Sequence, residues 1–304
     1  MKVGFIFPGQ GNQFIGMGKS FFDNYAEARD IFDMASDVLH VDMQDLLFND
    51  NDNINITKYT QPAVLLVSYI AYKLFSNISK EIPVFALGHS LGEITANVIS
   101  DSIKVDKSFE LVYRRGELMQ NACNDKNTGM AVIIGLDDKK IEEFISDKNN
   151  IWYVNYNSNN QGVIAGNRST LLEMEDGLKK IGAKRYLILP MSIASHCPVL
   201  STIKDEFMNI LENVLDNNFR FEVVSNATTE PYSDKSRALE LLTMQLINPV
   251  LYKQSIMKYQ DEVDCFVEFG GNVLKGLNKR ITDKYTYSIF DAPSLENVLE
   301  VMYK

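Results

Sequence analysis

The sequence contains few of the side chains that build disulfide frameworks or metal clusters. Its 304 residues include three cysteines, Cys123, Cys197 and Cys265, and three histidines. The cysteines are widely separated and odd in number, which argues against a disulfide framework and against a zinc site. Such sparing use of cysteine is typical of a reducing compartment, so we expect a cytoplasmic protein.

Positive charge and long apolar runs are scarce as well. Thirty basic residues against forty acidic ones give a formal net charge of −10, and we expect neither nucleic acid nor a membrane as a partner. The longest apolar run, at 63–72, is too short to cross a bilayer, and Pro8 interrupts the N-terminal apolar run too early for a signal peptide. The remaining composition, 45% hydrophobic and 23% charged, is that of a globular protein with a sizeable core.

One short motif indicates a catalytic function. Gly88-His89-Ser90-Leu91-Gly92 matches G-x-S-x-G and lies between a predicted buried strand and a predicted helix. In such a turn the hydroxyl of Ser90 would point out of the sheet, and a side chain at either glycine would collide with neighbouring backbone. The N–H of Leu91 would face a developing oxyanion. The motif also arises by chance in glycine-rich turns with a solvated serine, but its strand-to-helix context favours a nucleophile.

A serine nucleophile requires a base, and the chain offers three histidines. His40 follows a predicted helix and is expected at the surface, whereas the side chain of His89 should diverge from that of Ser90 at the sharp turn. His196 remains, just after a predicted strand, although a lone histidine is more often structural. No acidic residue in 101–195 stands at an obvious strand end. We therefore expect a Ser90–His196 dyad in which a main-chain carbonyl fixes the imidazole tautomer.

The apolar periodicity predicts an α/β fold in two parts. Buried strands at 3–7 and 84–87 are each followed by a predicted helix, as in a parallel sheet. From 126 to 192 the predicted order is strand, helix, strand, strand, helix, strand, which is the ferredoxin-like order. We expect an α/β-hydrolase-like large domain with a parallel sheet, formed by 1–125 and 193–304, and an inserted ferredoxin-like small subdomain at 126–192.

Additional motifs span the length of the chain. Residues 7–13 read FPGQGNQ and residues 88–93 read GHSLGE. Further matches lie at 59–63, 115–120, 157–166, 195–197, 245–250 and 273–277. In this number and order the motifs resemble those of the malonyl-CoA:acyl carrier protein transacylase family of type II bacterial fatty acid synthesis.

The resemblance implies a double displacement. Ser90 would attack the malonyl thioester of coenzyme A with His196 as the base, and the phosphopantetheine thiol of acyl carrier protein would then attack the malonyl-serine ester. The resemblance also implies oxyanion donors at the main-chain N–H groups of Gln10 and Leu91, and an imidazole oriented by the main-chain carbonyl of Gln245. No metal and no organic cofactor is implied, and we expect a monomer.

Three further residues belong to the implied site. Arg115 would bind the malonyl carboxylate through a bidentate pair, a task suited to the planar guanidinium group. By its spacing alone, an arginine in the predicted helix 109–122 would be a solvated charge, as we expect for Arg114. Gln61 and His89 would line the same pocket.

The chain departs from the family pattern at three places. Asn12 replaces a serine, Phe269-Gly270-Gly271-Asn272 replaces a Gly-Pro-Gly turn, and Gly162 replaces a β-branched strand residue. None of these positions touches a proposed catalytic group. We therefore expect them to affect loop geometry, and to loosen one strand of the small subdomain, without changing the chemistry.

The implied partner requires a docking surface. Acyl carrier proteins are strongly acidic, so docking on this acidic chain needs a local basic patch. The candidates are Lys179-Lys180, Lys184-Arg185 and the group Lys275, Lys279 and Arg280.

Three other functions are compatible with parts of this pattern. They are a free-standing polyketide acyltransferase, an acyl-carrier-protein acyl hydrolase and a non-catalytic carrier-binding module. Arg115 argues against the hydrolase, because a neutral acyl group gives no reason to bury a guanidinium. The co-occurrence of Ser90, His196 and both oxyanion donors argues against the module.

Overall fold

Two β-sheets organise the chain. The structure, a computed structural model, describes residues 1–303. Its strands are β1 (Val3–Phe7), β2 (Phe85–Gly88), β3 (Thr128–Ile134), β4 (Ile151–Ser158), β5 (Gln161–Asn167), β6 (Arg185–Ile188), β7 (Val223–Val224), β8 (Pro231–Tyr232), β9 (Cys265–Phe269) and β10 (Tyr285–Ile289). The first sheet has the order β10-β9-β1-β2-β7-β8, and the second has the order β4-β5-β3-β6.

The six-stranded sheet is parallel from β10 to β7, and β8 pairs antiparallel to β7 at the edge. Strand β1 is buried at every position, as is typical of a parallel strand covered on both faces. The rings of Phe5 and Phe7 pack on Phe269 of β9, with centroid distances of 4.9 and 5.6 Å. The predicted parallel α/β sheet is therefore confirmed.

Helices pack against both sheets. They are α1 (Lys19–Asn24), α2 (Ala26–Leu39), α3 (Met43–Phe48), α4 (Thr57–Ile78), α5 (Leu91–Ile99), α6 (Val105–Cys123), α7 (Asp138–Ile145), α8 (Arg168–Glu173), α9 (Glu175–Lys180), α10 (Lys204–Val214), α11 (Lys235–Gln245), α12 (Tyr252–Tyr259), α13 (Val273–Asn278) and α14 (Ala292–Tyr303). Within residues 1–303, none of these helices combines the length and the apolar character needed to cross a membrane.

Helices α4 and α6 approach each other closely, and they carry the candidate residues Gln61 and Arg115. A Cβ at Gly116 of α6 would lie 2.7 Å from Cα of Lys58 in α4, so glycine is needed for this approach. The sequence Thr60-Gln61-Pro62 predicts a helix with Pro62 in its first turn, and this prediction is wrong.

Helix α4 begins at Thr57, and Pro62 lies inside it. The hydroxyl of Thr60 donates to the main-chain oxygens of Ile54 and Ile56, at 2.6 and 3.1 Å. Both bonds satisfy main-chain oxygens next to the start of α4. The sequence pattern did not indicate the turn that precedes Pro62.

The four-stranded sheet is antiparallel throughout, with the strand order of a ferredoxin-like unit. One face packs on α7, α8 and α9 through a core that includes Ile133, Ile164 and Leu178. The opposite face carries Met130 and Val163 toward the large sheet. An isolated bridge between Asn155 and Val250 joins β4 to the segment before α12.

Several predicted helices are divided in the structure. The apolar spacing predicts one helix from about Lys19, but the structure has α1 and α2 there, because Tyr25 adopts an extended conformation between them. The sequence also predicts single helices at 169–181 and 198–215. The first consists of α8 and α9, and the second begins as a 3₁₀ turn, Pro198–Ile203, before α10. Strands β8 and β10 and helices α3, α12, α13 and α14 were not predicted.

Candidate active site

Ser90 occupies a strained turn between β2 and α5. Its backbone angles are φ 54° and ψ −106°, a combination that L-residues rarely adopt. A Cβ at Gly88 would overlap the backbone of Gly92, and a Cβ at Gly92 would overlap the main-chain oxygen of Phe7. The predicted collisions at both glycines are confirmed, and Ser90 lines a cavity.

The hydroxyl of Ser90 lies beside His196. Oγ of Ser90 is 2.7 Å from Nε2 of His196, and Nδ1 of the same ring is 2.7 Å from the main-chain oxygen of Gln245. Because a carbonyl oxygen can only accept, Nδ1 carries the proton and Nε2 presents its lone pair to Ser90. Burial, together with the charge of Arg115, lowers the pKa of His196 to about 3. The imidazole is therefore neutral near pH 7 and able to accept a proton.

The other two histidines lie as the sequence predicts. His40 ends α2 and is exposed. His89 is half-buried, and its Nε2 lies 2.8 Å from Oδ1 of Asn157, while its ring packs against Tyr252. Burial lowers the pKa of His89. The side chain of His89 is thus held by partners other than Ser90, although it lines the same cavity.

Arg115 is buried beside the Ser90–His196 pair, with 1% of its surface exposed. Nη1 donates to Oε1 of Gln61 and Nη2 donates to Oε1 of Gln245, both at 2.9 Å, and Nη2 lies 3.4 Å from Oγ of Ser90. Burial lowers the pKa of Arg115 to about 10, against the opposing charge of Glu93, so the guanidinium stays charged near pH 7.

The guanidinium of Arg115 retains an N–H group without a protein acceptor among residues 1–303. Among residues 1–303, no carboxylate forms an ion pair with it, and its Nε finds no acceptor. The neighbouring Arg114, by contrast, is largely exposed and pairs with Glu117 and Glu206. A buried cation without a contacting anion is costly, which makes it a strong binding group for an incoming carboxylate.

The cavity at this site is small and mixed in character. It has a volume of about 80 Å³, and its apolar walls include Met119, Met130, Leu189 and Met191. The polar groups that line it are Gln10, Gln61, His89, Ser90, Arg115, Asn155, Ser195 and His196. Such a space fits a short acyl group with one charged end.

A second cavity continues from the first. It has a volume of about 220 Å³, and both cavities are lined by Gln10, His89, Asn155 and Leu189. Its walls come from Val273, Leu274 and Leu277 of α13 on one side and from Val132, Gln161 and Val163 of the four-stranded sheet on the other. The two cavities together form a cleft between the sheets that ends at Ser90.

The N–H groups of Gln10 and Leu91 are the oxyanion donors that the sequence resemblance implies. Leu91 begins α5, so its N–H precedes the hydrogen-bonded part of the helix. Within residues 1–303, neither this N–H nor that of Gln10 donates to a protein acceptor, and both residues line the cavity of Ser90. The side chain of Gln10 is fixed by a 3.1 Å bond from Nε2 to Oγ1 of Thr57.

Comparisons with known proteins agree with this geometry. A family model described as an acyl transferase domain matches residues 4–271. The chain is 34% identical over 299 residues to the malonyl CoA-acyl carrier protein transacylase of Salmonella typhimurium, covering 96% of this chain and 97% of that protein. The solved malonyl-CoA:acyl carrier protein transacylase of Helicobacter pylori superposes with a TM-score of 0.98 at 43% identity, covering 100% of this chain and 99% of that one.

A further solved structure contains a partner. It is a malonyl-transacylase in complex with its type II PKS acyl-carrier protein, and it matches with a TM-score of 0.94 at 32% identity, covering 99% of this chain and 100% of that one. The chain belongs to the malonyl CoA-acyl carrier protein transacylase family. The resemblance drawn from the sequence motifs is confirmed, and so is the fold class.

Two residues that sequence reasoning missed support the turn in this family member. Oδ1 of Asn226 accepts the N–H of Ser90, and its Nδ2 donates to the main-chain oxygen of Gly88, both at 2.6 Å. The main-chain N–H of Asn226 donates to Oε2 of Glu93 at 2.9 Å. Glu93 belongs to the GHSLGE motif, so its motif membership was a usable signal. Asn226 follows the two-residue strand β7 and has no local signature.

Proposed function

We propose that the chain transfers the malonyl group from malonyl-CoA to the phosphopantetheine thiol of acyl carrier protein through a malonyl-Ser90 ester. The observation that carries the proposal is the 2.7 Å contact between Oγ of Ser90 and Nε2 of His196 beside the buried Arg115. A serine with an adjacent neutral base supports covalent acyl transfer, and an unpaired guanidinium supports a carboxylate-bearing acyl group.

The first half-reaction forms the ester. Nε2 of His196 takes the proton of Ser90 as Oγ attacks the thioester carbonyl, and the N–H groups of Gln10 and Leu91 stabilise the resulting oxyanion. Collapse of the tetrahedral intermediate expels the thiolate of coenzyme A. The proton on His196 passes to that sulfur, so the base returns to its neutral form.

The second half-reaction runs the same steps with a different thiol. The phosphopantetheine thiol gives its proton to His196 and attacks the malonyl ester carbonyl. The oxyanion again forms at the N–H groups of Gln10 and Leu91, and the alkoxide of Ser90 leaves with the proton from His196. The carbonyl of Gln245 holds the imidazole throughout, which is a role that a carboxylate has in a triad.

The substrate preference follows from Arg115 and the cavity volume. Spare N–H groups of the guanidinium can bind both oxygens of a malonyl carboxylate, and the cavity of about 80 Å³ around Ser90 fits a short acyl chain. These features support malonyl transfer over the hydrolysis of neutral acyl chains. The structural match to a complex with a type II PKS carrier protein supports carriers of polyketide synthesis as a second partner class.

We place carrier docking at the outer surface of α13 and of the two residues that follow it, which we call the α13 patch and define by Lys275, Lys279 and Arg280. Within residues 1–303, none of the three cations pairs with a carboxylate within 4.0 Å. The exposed side chain of Val273 on the same helix lines the cleft that ends at Ser90. Unpaired positive charge beside an apolar cleft entrance fits an acidic carrier protein with an apolar arm.

The other two basic runs are less suited to docking. Lys179 pairs with Glu175 at 2.6 Å. It lies on α9, which covers the face of the four-stranded sheet opposite to the cleft. Lys184 and Arg185 lie at the start of β6, whereas the cleft residue Leu189 follows its end.

The proposal also covers the domain organisation, the oligomeric state, the cofactors and the location of the protein. Residues 1–125 and 193–303 form the large domain and 126–192 the small subdomain, which is supported by the separate cores of the two sheets, and Lys304 lies outside the described residues. The Ser90–His196 pair and the two oxyanion donors suffice for the proposed steps, so we propose a monomer that needs no metal or organic cofactor. Three buried thiols without disulfides support a cytoplasmic location.

A transfer assay tests the proposal directly. The enzyme is incubated with malonyl-CoA and holo acyl carrier protein, and malonyl-carrier protein, free malonate and free coenzyme A are quantified. We expect coenzyme A and malonyl-carrier protein to form in equal amounts. Malonate formed in place of malonyl-carrier protein would support the hydrolase, and no turnover would support the non-catalytic module.

A further inference from the structure

Glu93 is a buried carboxylate beneath the Ser90 turn. It lies on α5, is fully buried and does not line the cavity. Its oxygens accept three hydrogen bonds, from the N–H of Asn226 at 2.9 Å, from the hydroxyl of Tyr232 at 3.0 Å and from Nε2 of Gln245 at 2.8 Å. The mechanism above assigns it no task.

The three neighbours of Glu93 all act as donors. Nδ2 of Asn97 donates to the hydroxyl oxygen of Tyr232 at 2.7 Å, so Tyr232 directs its own proton to Glu93. Donors on every side favour the ionised carboxylate, and the charge of Arg115 favours it further. Burial has the opposite effect and raises the pKa of Glu93 to about 7.

The side chain of Gln245 connects this carboxylate to Arg115. Its Nε2 donates to Glu93 and to the main-chain oxygen of Ser90, at 2.8 and 2.9 Å, and its Oε1 accepts from Nη2 of Arg115 at 2.9 Å. If the amide were rotated by half a turn, its oxygen would face the carboxylate and its NH₂ group would face the guanidinium. Both new contacts would be repulsive, so the carboxylate, together with the main-chain oxygen of Ser90, determines which way the amide points.

We propose that Glu93 is a positioning residue for substrate selection, because it holds the oxygen of the Gln245 amide toward Arg115 and thereby fixes the guanidinium that binds the malonyl carboxylate. The inference rests on the proposed function. In this inference Gln245 has two separate roles. Its main-chain oxygen orients His196 whichever way the side-chain amide points, whereas its side chain orients Arg115.

The test is a kinetic comparison of Glu93→Gln with the wild-type enzyme. An amide at position 93 has no charge to set the orientation of Gln245, so Arg115 loses a fixed acceptor. We expect KM for malonyl-CoA to rise about tenfold to a hundredfold, the effect of one charge-assisted bond, while kcat changes much less. Acetyl transfer, which does not use Arg115, should keep its wild-type rate, so the malonyl-to-acetyl ratio falls.

A matched control is Glu268→Gln. Glu268 is also fully buried and accepts main-chain N–H groups of Leu274 and Lys275, both at 2.9 Å, but it does not contact Gln245. This variant should keep the wild-type malonyl-to-acetyl ratio. A fall in the ratio for Glu268→Gln as large as that for Glu93→Gln would contradict a specific role of Glu93.

A double-mutant cycle tests whether Glu93 acts through Gln245. Gln245→Ala removes the amide and retains the main-chain oxygen, so we expect it to raise KM for malonyl-CoA by itself. Glu93→Gln should then have no further effect on KM in that background. Independent, multiplying effects would overturn the inference.

The outcomes separate this inference from the proposed function. If the wild-type enzyme transfers malonyl groups and Glu93→Gln has an unchanged KM and ratio, only the inference fails. If the wild-type enzyme transfers none, the proposed function fails first. Thermal melting checks that Glu93→Gln is folded. If it is not, Glu93→Asp, which keeps the charge but shortens its reach, carries the same expectation for KM.

Discussion

Nδ1 of His196 lies 2.7 Å from the main-chain oxygen of Gln245, so a neutral carbonyl occupies the place that a carboxylate has in a catalytic triad. A carbonyl fixes the tautomer of the ring but adds no negative charge that would stabilise the imidazolium. Burial and the nearby Arg115 disfavour the charged ring as well, which is why the pKa of His196 falls to about 3.

The first prediction concerns the pH dependence of Ser90 reactivity. A lowered imidazole pKa means that His196 stays in its neutral, basic form as the pH falls from about 8 to about 5, whereas an ordinary imidazole would be mostly protonated at the lower value. We expect the rate at which a neutral fluorophosphonate labels Ser90 to be nearly constant over this range. The readout is time-resolved mass spectrometry, with His196→Ala as the unreactive control. An inflection near pH 6.5 that persists in Glu93→Gln would show an unperturbed imidazole and contradict the prediction.

The second prediction concerns acyl selectivity. Arg115→Ala removes the group that we assign to the malonyl carboxylate, so kcat/KM for malonyl-CoA should fall by about a hundredfold or more, while transfer of acetyl groups increases. Arg114→Ala is the matched control, because Arg114 is the next residue on α6, is exposed and pairs with Glu117 and Glu206. Competition between malonyl-CoA and acetyl-CoA provides the measurement. A preserved malonyl preference in Arg115→Ala would remove Arg115 from substrate binding.

The third prediction concerns the α13 patch. The double reversal Lys275→Glu and Lys279→Glu should raise KM for holo acyl carrier protein about tenfold and leave the formation of the malonyl ester from malonyl-CoA unchanged, because long-range charge acts on docking. Lys179→Glu with Lys180→Glu is the control of equal charge change on the far face of the small sheet. Unchanged carrier kinetics in the first variant, or an equal loss in the second, would rule out the patch as the docking surface.

The fourth prediction concerns two departures from the family pattern that lie in contact. Nδ2 of Asn12 donates to the main-chain oxygen of Gly270 at 3.0 Å, and a Cβ at Gly271 would overlap the amide of Asn12. Gly271→Ala should therefore lower the free energy of unfolding by about 1 to 3 kcal/mol, and by less when Asn12→Ser is also present. Urea unfolding measures both values.

Gly276→Ala is the control for this pair, because a Cβ at that position meets no atom within 4 Å. It should leave stability unchanged or raise it by about 0.5 kcal/mol. If Gly271→Ala destabilised the wild-type protein and the Asn12→Ser variant equally, the two loops would not be coupled.

The sequence was sufficient to predict residues that lie in a local motif or that belong to a rare residue type. Ser90 lies in a turn whose steric requirements specify glycine at both flanks, and His196 was found by elimination among three histidines. Arg115 could not be distinguished by spacing from its neighbour Arg114, since both lie on one helix. Its assignment came from the family resemblance.

The residues that hold the catalytic side chains in place could not be predicted, because their roles depend on contacts between segments that are distant in the sequence. Glu93 on α5, Asn226 after β7 and Gln245 at the end of α11 meet only in the folded chain. The expectation that Gly162 loosens its strand also leaves out a contact with another segment. A Cβ there would overlap the ring of Tyr153 on the neighbouring strand, so the glycine provides space for that ring.

The proposal depends most directly on a covalent ester at Ser90, which the mass of the intact protein reports. After incubation with malonyl-CoA, the wild-type enzyme should gain the mass of one malonyl group, and addition of holo acyl carrier protein should remove it and leave malonyl-carrier protein. Ser90→Ala should gain no mass under the same conditions. A stable malonyl adduct on Ser90→Ala, or a wild-type adduct that is released as malonate and never reaches the carrier thiol, would contradict the account.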